Sequence, residues 1–218
     1  MNNIKLRINE LLELQPGLKY EDGIIEGEII LSLHAQGFYL DSKYHIKIII
    51  NYEFPFLSEV YETAGAIKPN YEHIYENGLL CLSTPIDLIL SEDKDGSILG
   101  LYIDYIEPYF FSYEYFERYG FFPFGERKHG LFGVLDSYCD IIGMQDYAKV
   151  LSLLQKIAFD KYRYRGHLPC PCGSKLKTRN CHPKISKLFL NGRIVEQVKK
   201  DYNTMELVIN ECKRKAKQ

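Results

Sequence analysis

The sequence predicts an α+β fold: an N-terminal helix, an antiparallel meander of short strands, C-terminal helices and a small metal-binding module at the basic end. Three observations predict it. Apolar residues recur at helical spacing within the first 15 positions, and β-branched runs then succeed one another with no helical pattern between them. Three of the six cysteines crowd into residues 170–181.

A chain of 218 residues, 46% hydrophobic and 26% charged, can bury one substantial core with length to spare. We therefore expect a main domain over residues 1–160 and an appended module over 161–218. Charge divides at the same place: residues 1–160 carry 12 Lys/Arg against 25 Asp/Glu, and residues 161–218 carry 15 against 4. Such asymmetry suits an acidic partner for the tail, nucleic acid included, or a basic tail lying on an acidic body. No apolar run reaches the roughly 18 residues that cross a bilayer, so no membrane partner and a cytoplasmic location are expected. Cys81, Cys139 and Cys212 stand apart from the cluster, which is no disulfide framework and fits a reducing compartment.

Ile4, Ile8, Leu11 and Leu12 mark the first helix, closed by Pro16-Gly17. Residues 24–33, 44–51 and 59–63 read as strands, with turns expected at Gln36-Gly37 and Asp41-Ser42. Residues 64–97, with Gly65, Pro69, Asn77-Gly78, Pro85 and Asp95-Gly96, read as one long ordered loop, and loops of that length are usually functional. Residues 102–124 hold 12 Tyr or Phe; the reading is an irregular segment whose aromatic layer packs on the core. Helices are expected from about Gly130 to Ile142, through Tyr147, Val150, Leu154 and Ile157, and from Ile194 onward.

The segment Cys170-Pro-Cys172-Gly-Ser-Lys-Leu-Lys-Thr-Arg-Asn-Cys181-His182 offers two pairs of soft ligands. Three thiolates and an imidazole complete a tetrahedral shell, which suits zinc and leaves no position for water, so the site is expected to be structural. Lys175, Lys177 and Arg179 would offset the excess negative charge. Cys170, Cys172, Ser174, Cys181 and His182 resemble the SEC-C motif, a short zinc module appended to many bacterial proteins.

Residues 51–82 resemble the centre of the ubiquitin-conjugating enzymes. Phe54-Pro55-Phe56 matches the segment that ends a strand in that family, and Gly78-Leu79-Leu80-Cys81-Leu82 matches the segment bearing its nucleophile. The family's His-Pro-Asn tripeptide is here Tyr71-Glu72-His73, and the tryptophan that usually follows the cysteine is missing, since the chain has none. The resemblance implies a four-stranded meander with Cys81 as the thiol that forms a thioester with a partner protein's C-terminus and passes it to a lysine or N-terminal amine. His73 would support the oxyanion or take a proton, or brace the loop. Glu126, Arg127 and His129 are further candidates, more in keeping with a structural role.

The missing tryptophan and the SEC-C-like tail resemble bacterial members of the family encoded in antiphage CBASS operons. That likeness implies a cGAS/DncV-like nucleotidyltransferase as the acyl donor. Nothing resembles a Gly-rich phosphate-binding loop, so the donor must be activated elsewhere. The alternative reading is a non-catalytic scaffold that binds a nucleotidyltransferase or nucleic acid through its basic zinc tail; a thiol hydrolase using the Cys–His pair is a third.

Overall fold

The computed structural model describes residues 2–50, 58–95, 97–125 and 128–215, the side chains of 2–6, 92–95 and 212–213 excepted. Phe54-Pro55-Phe56, Glu126 and Arg127 thus lie outside the described residues. Two compact units result, Met1–Glu126 and Arg127–Gln218. The division expected at residue 160 falls inside the second unit, because the helix before it packs on the helix that ends the chain.

The first unit opens with α1 (Asn2–Leu14), whose Ile8 and Leu11 are buried, as the helical spacing predicts. Four strands follow in an antiparallel sheet in sequence order: β1 (Leu18–Glu21), β2 (Ile24–Ala35), β3 (Phe38–Ile49) and β4 (Glu59–Glu62). β1 passes so close to β2 that a Cβ on Gly27 would stand 2.1 Å from the Gly17 carbonyl oxygen, and only glycine fits there. Gln36 and Gly37, both at positive φ, make the two-residue turn between β2 and β3, matching the right-handed twist of the strands. Asp41-Ser42 makes no turn: these residues pair with Ser32 and Leu31 in the middle of β3. Turn preference yields because the hairpin's register buries Leu40 and Tyr44 on either side. Gln15, itself buried, ties α1 to the sheet through both amide atoms, giving and receiving 2.9 Å hydrogen bonds with the Ile30 backbone.

Two readings of the following segment need correction. Residues 64–97 are not loop throughout, since α2 (Pro85–Asp95) buries Ile86 and Ile89. Its start was legible in Thr84-Pro85-Ile86-Asp87, which has proline at the first helical position and a threonine that donates to Asp87 Oδ2 at 2.9 Å. Residues 98–119 are helical, comprising α3 (Ile98–Leu101), a π-turn (Tyr102–Ile106) and α4 (Glu107–Tyr119). Pro108 lacks the N–H that an unbroken helix would use, and the π-turn absorbs the defect. The aromatic layer is on the core as expected: Tyr102, Tyr109, Phe110, Phe111, Tyr113 and Tyr115 are buried, and Phe110 stacks on Tyr44 at 4.0 Å.

The second unit comprises α5 (Gly130–Ile142), α6 (Tyr147–Ala158), the cysteine-bearing loop with α7 (Thr178–Cys181), a 3-10 turn (Pro183–Phe189) and α8 (Gly192–Lys215). Gly143, at φ 76°, ends α5 by donating its N–H to the Cys139 carbonyl, and the Asp146 carboxylate caps α6. Val150, Leu154 and Ile157 of α6 are buried, as are Ile194, Val198 and Met205 of α8. Among the described residues, no helix is long and apolar enough to cross a membrane.

Candidate active site and metal centre

Cys81 ends a small hairpin that hangs beside β4. Residues 75–78 form its turn, in which the Gly78 N–H donates to the Tyr75 carbonyl at 2.9 Å and the Asn77 side chain accepts from the Leu79 N–H at 3.1 Å. The return limb lies against β4, with Glu62 N–H to Gly78 carbonyl at 3.0 Å and Leu80 N–H to Val60 carbonyl at 2.8 Å. Gly78 is required twice over. Its φ is +83°, and a Cβ there would lie 2.8 Å from the Glu62 carbonyl oxygen.

The hairpin's register decides what meets Cys81. Ile74 pairs with Leu80, the Cys81 N–H donates to the His73 carbonyl at 2.8 Å, and the Tyr75 N–H donates to the Leu79 carbonyl at 2.9 Å. His73 therefore stands directly opposite Cys81, and residues so opposed carry Cβ atoms about 5 Å apart on one face. Leu80, alternating to the other face, is buried, whereas His73 and Cys81 are half-buried and Tyr75 exposed. The neighbouring Cys81 sulfur, chiefly through its charge when ionised, raises the Tyr75 phenol above its ordinary range, and burial acts in the same direction. Sequence reasoning missed Tyr75. The signal was available: with Asn77-Gly78 as a hairpin turn, strand alternation puts residues 73, 75, 79 and 81 on one face.

The aromatic helix α4 holds this loop in place. Tyr109 donates to the His73 carbonyl at 2.9 Å, so that oxygen accepts both from Tyr109 and from the Cys81 N–H. The Tyr113 hydroxyl accepts from the Lys68 N–H at 3.2 Å, Lys68 pairs with Glu117, and the buried Tyr71 ring lies edge-on to Tyr113 at 4.9 Å. The His73 ring sits edge-on to Tyr71 and Phe122, each 5.3 Å away. Buried Glu62 secures the start of the loop by accepting from the Ala64 and Ala66 N–H groups. His129 is exposed and belongs to the second unit, immediately before α5.

The second constellation is brought together by a tight knuckle. Pro169 and Lys177 bridge across it, the Cys170 N–H donates to the Leu176 carbonyl at 2.8 Å, and the buried Thr178 hydroxyl donates to the Leu168 carbonyl at 3.1 Å. Gly173 and Lys175 turn the chain at positive φ. The α7 turn then carries Cys181 and His182 back to the first pair. As a result the donor atoms of Cys170, Cys172, Cys181 and His182 all lie within 4.8 Å of one another, and the four could hold a metal ion. The Cys170 Sγ to His182 Nδ1 distance is 3.2 Å, that between the Cys172 and Cys181 sulfurs 3.6 Å, and the Ser174 hydroxyl stands 3.2 Å from Cys181 Sγ. Burial pushes the Cys170 thiol up to about 12, while the Ser174 hydroxyl holds Cys172 down to about 6. A bound divalent cation would draw all three sulfurs toward thiolate. Lys175, Lys177 and Arg179 are exposed around the knuckle.

In comparisons with protein-family models, curated proteins and solved structures, nothing matches this chain.

Proposed function

We propose that the chain is a ubiquitin-conjugating-like acyltransferase with Cys81 as its nucleophile. The observation that carries this reading is the hairpin register, which opposes His73 to a half-buried Cys81 and puts Tyr75 on the same face. The Cys81 thiolate attacks the activated C-terminal carbonyl of a partner protein, expelling the activating group and forming a thioester. A lysine or N-terminal amine then attacks that carbonyl. The C–S bond breaks, the amine loses its proton and an amide forms, while Cys81 leaves as thiolate. His73 can accept that proton or donate to the tetrahedral oxyanion, and Tyr75 can hydrogen-bond the sulfur or orient the incoming amine. A separate activating protein supplies the activated donor. On the family resemblance that donor is a cGAS/DncV-like nucleotidyltransferase acting in antiphage defence.

The metal in the knuckle, on this reading, is zinc in a structural role. Sulfurs each about 2.3 Å from a tetrahedral zinc stand roughly 3.8 Å apart, close to the Cys172–Cys181 separation of 3.6 Å. Four protein donors leave no place for a reacting water.

Cys81→Ser tests the proposal. With donor, activating protein and acceptor present, the serine should accumulate as an oxyester to the donor that survives dithiothreitol, where the wild-type adduct does not. Conjugation proceeding normally in Cys81→Ala would sink the acyltransferase reading and leave the scaffold.

A further inference from the structure

Residues 161–195 contain nine Lys or Arg and not one Asp or Glu. The stretch Lys161-Tyr-Arg-Tyr-Arg165 alternates: Tyr162 and Tyr164 are half-buried, and Arg163 and Arg165 between and after them are exposed. The inward tyrosines join Phe189 in lining a groove of about 560 Å³ in the second unit, within the size range of small-ligand sites. Tyr162 and Phe189 are 6.0 Å apart, centroid to centroid, at a tilt of 53°. Arg163 and Ser186 stand on the groove's wall. The same backbone runs directly into the knuckle, where the Gly166 carbonyl accepts from the Arg179 N–H at 3.0 Å. Arg163, Arg165, Lys175 and Lys177 have no carboxylate partner among the described residues, and Lys184 and Lys187 extend the exposed charge.

Charge of this kind beyond what three thiolates need calls for a polyanion. Two further features of the groove select among polyanions. Its lining includes three aromatic rings, and aromatic rings that stack on bases are the usual companions of cationic side chains in single-strand binding. Its wall also carries Asp160 and Glu196, which share Lys199 at 3.5 and 3.4 Å. Those carboxylates would repel the side chains of an acidic peptide but accept hydrogen bonds from base amino groups and from a ribose 2′-hydroxyl, which deoxyribose lacks. We infer that the second unit binds single-stranded RNA, phosphates along the Arg163–Arg165 stretch and the knuckle, and one nucleoside in the groove between Tyr162, Tyr164 and Phe189. This activity is independent of Cys81.

Fluorescence anisotropy of the full chain with a labelled, unstructured 20-nucleotide RNA tests it, beside DNA of the same sequence and polyglutamate as competitor. RNA should bind, losing at least about tenfold in affinity between 50 and 200 mM salt. Arg163→Ala with Arg165→Ala should weaken binding about tenfold and flatten the salt slope, and Tyr164→Leu should weaken it several-fold with the slope unchanged. Cys81→Ala should bind as wild type does, so the result is separate from the acyltransferase question. Wild-type metal content and circular dichroism establish that each variant is folded, and Lys184→Ala with Lys187→Ala, both exposed, replaces any that is not. Absence of RNA binding at 50 mM salt, tighter binding of the DNA, or displacement by polyglutamate at equal charge would each overturn the inference.

Discussion

The knuckle cysteines and the lone Cys81 are positioned in this molecule by opposite means. In the knuckle, three sulfurs and an imidazole converge within 4.8 Å of one another, an arrangement that could hold a metal ion. At residue 81, a single sulfur is left half-exposed opposite an imidazole and beside a phenol, held by a hairpin, a β-strand and an aromatic helix, with no other cysteine in the loop. Sulfurs gathered in this way are donors that a metal ion could use. A half-buried sulfur opposite an imidazole on a braced loop suits the nucleophile role proposed for Cys81.

The sharpest way to break this contrast is to exchange losses between the two places. Cys170→Ser should lose most of the bound zinc, expected at about one per chain in the wild type, and with it the hydrogen-exchange protection of residues 168–182. Cys81→Ala should keep the zinc and lose conjugation by three orders of magnitude or more. Equal zinc loss in both variants, measured by metal analysis, would erase the distinction. Gly78→Ala comes next, since it adds a Cβ 2.8 Å from a backbone oxygen at φ +83°. It should cost about 1–2 kcal/mol or more of unfolding free energy, and it should depress conjugation further than stability alone explains; denaturant melts and single-turnover rates separate the two.

Smaller effects sharpen the account of the braced loop. Tyr75→Phe keeps the ring and removes the hydroxyl beside Cys81, and should slow thioester discharge several-fold with little change in melting temperature. An unchanged discharge rate would return Tyr75 to a packing role. Tyr109→Phe removes one of two donors to the His73 carbonyl and should cost about 1 kcal/mol, seen as a modest drop in denaturant midpoint with the metal retained.

What the sequence made legible follows the physics of each segment. The knuckle was readable because ligand spacing is a local constraint, and Cys170, Cys172, Cys181 and His182 are brought together within 13 residues. The helix α5 was readable because Gly143 closes it, and α6 because Val150, Leu154 and Ile157 recur along one stripe. Asp41-Ser42 misled because turn preference is weaker than the register of a hairpin with 12 residues in each strand. The aromatic stretch concealed its helix because Tyr and Phe are indifferent helix formers and Pro108 reads as a breaker. Its purpose was hidden for a different reason: Tyr109 reaches the loop across 36 residues of sequence, a distance no local pattern reports.

The central claim is that Cys81 carries an acyl group, and intact-mass analysis of the protein after incubation with its activated donor tests it most directly. The account predicts a mass increase equal to the donor less water, located to Cys81, released by hydroxylamine at neutral pH and missing from Cys81→Ala. No adduct under conditions where the donor is demonstrably activated, or an adduct that persists in Cys81→Ala, would contradict it.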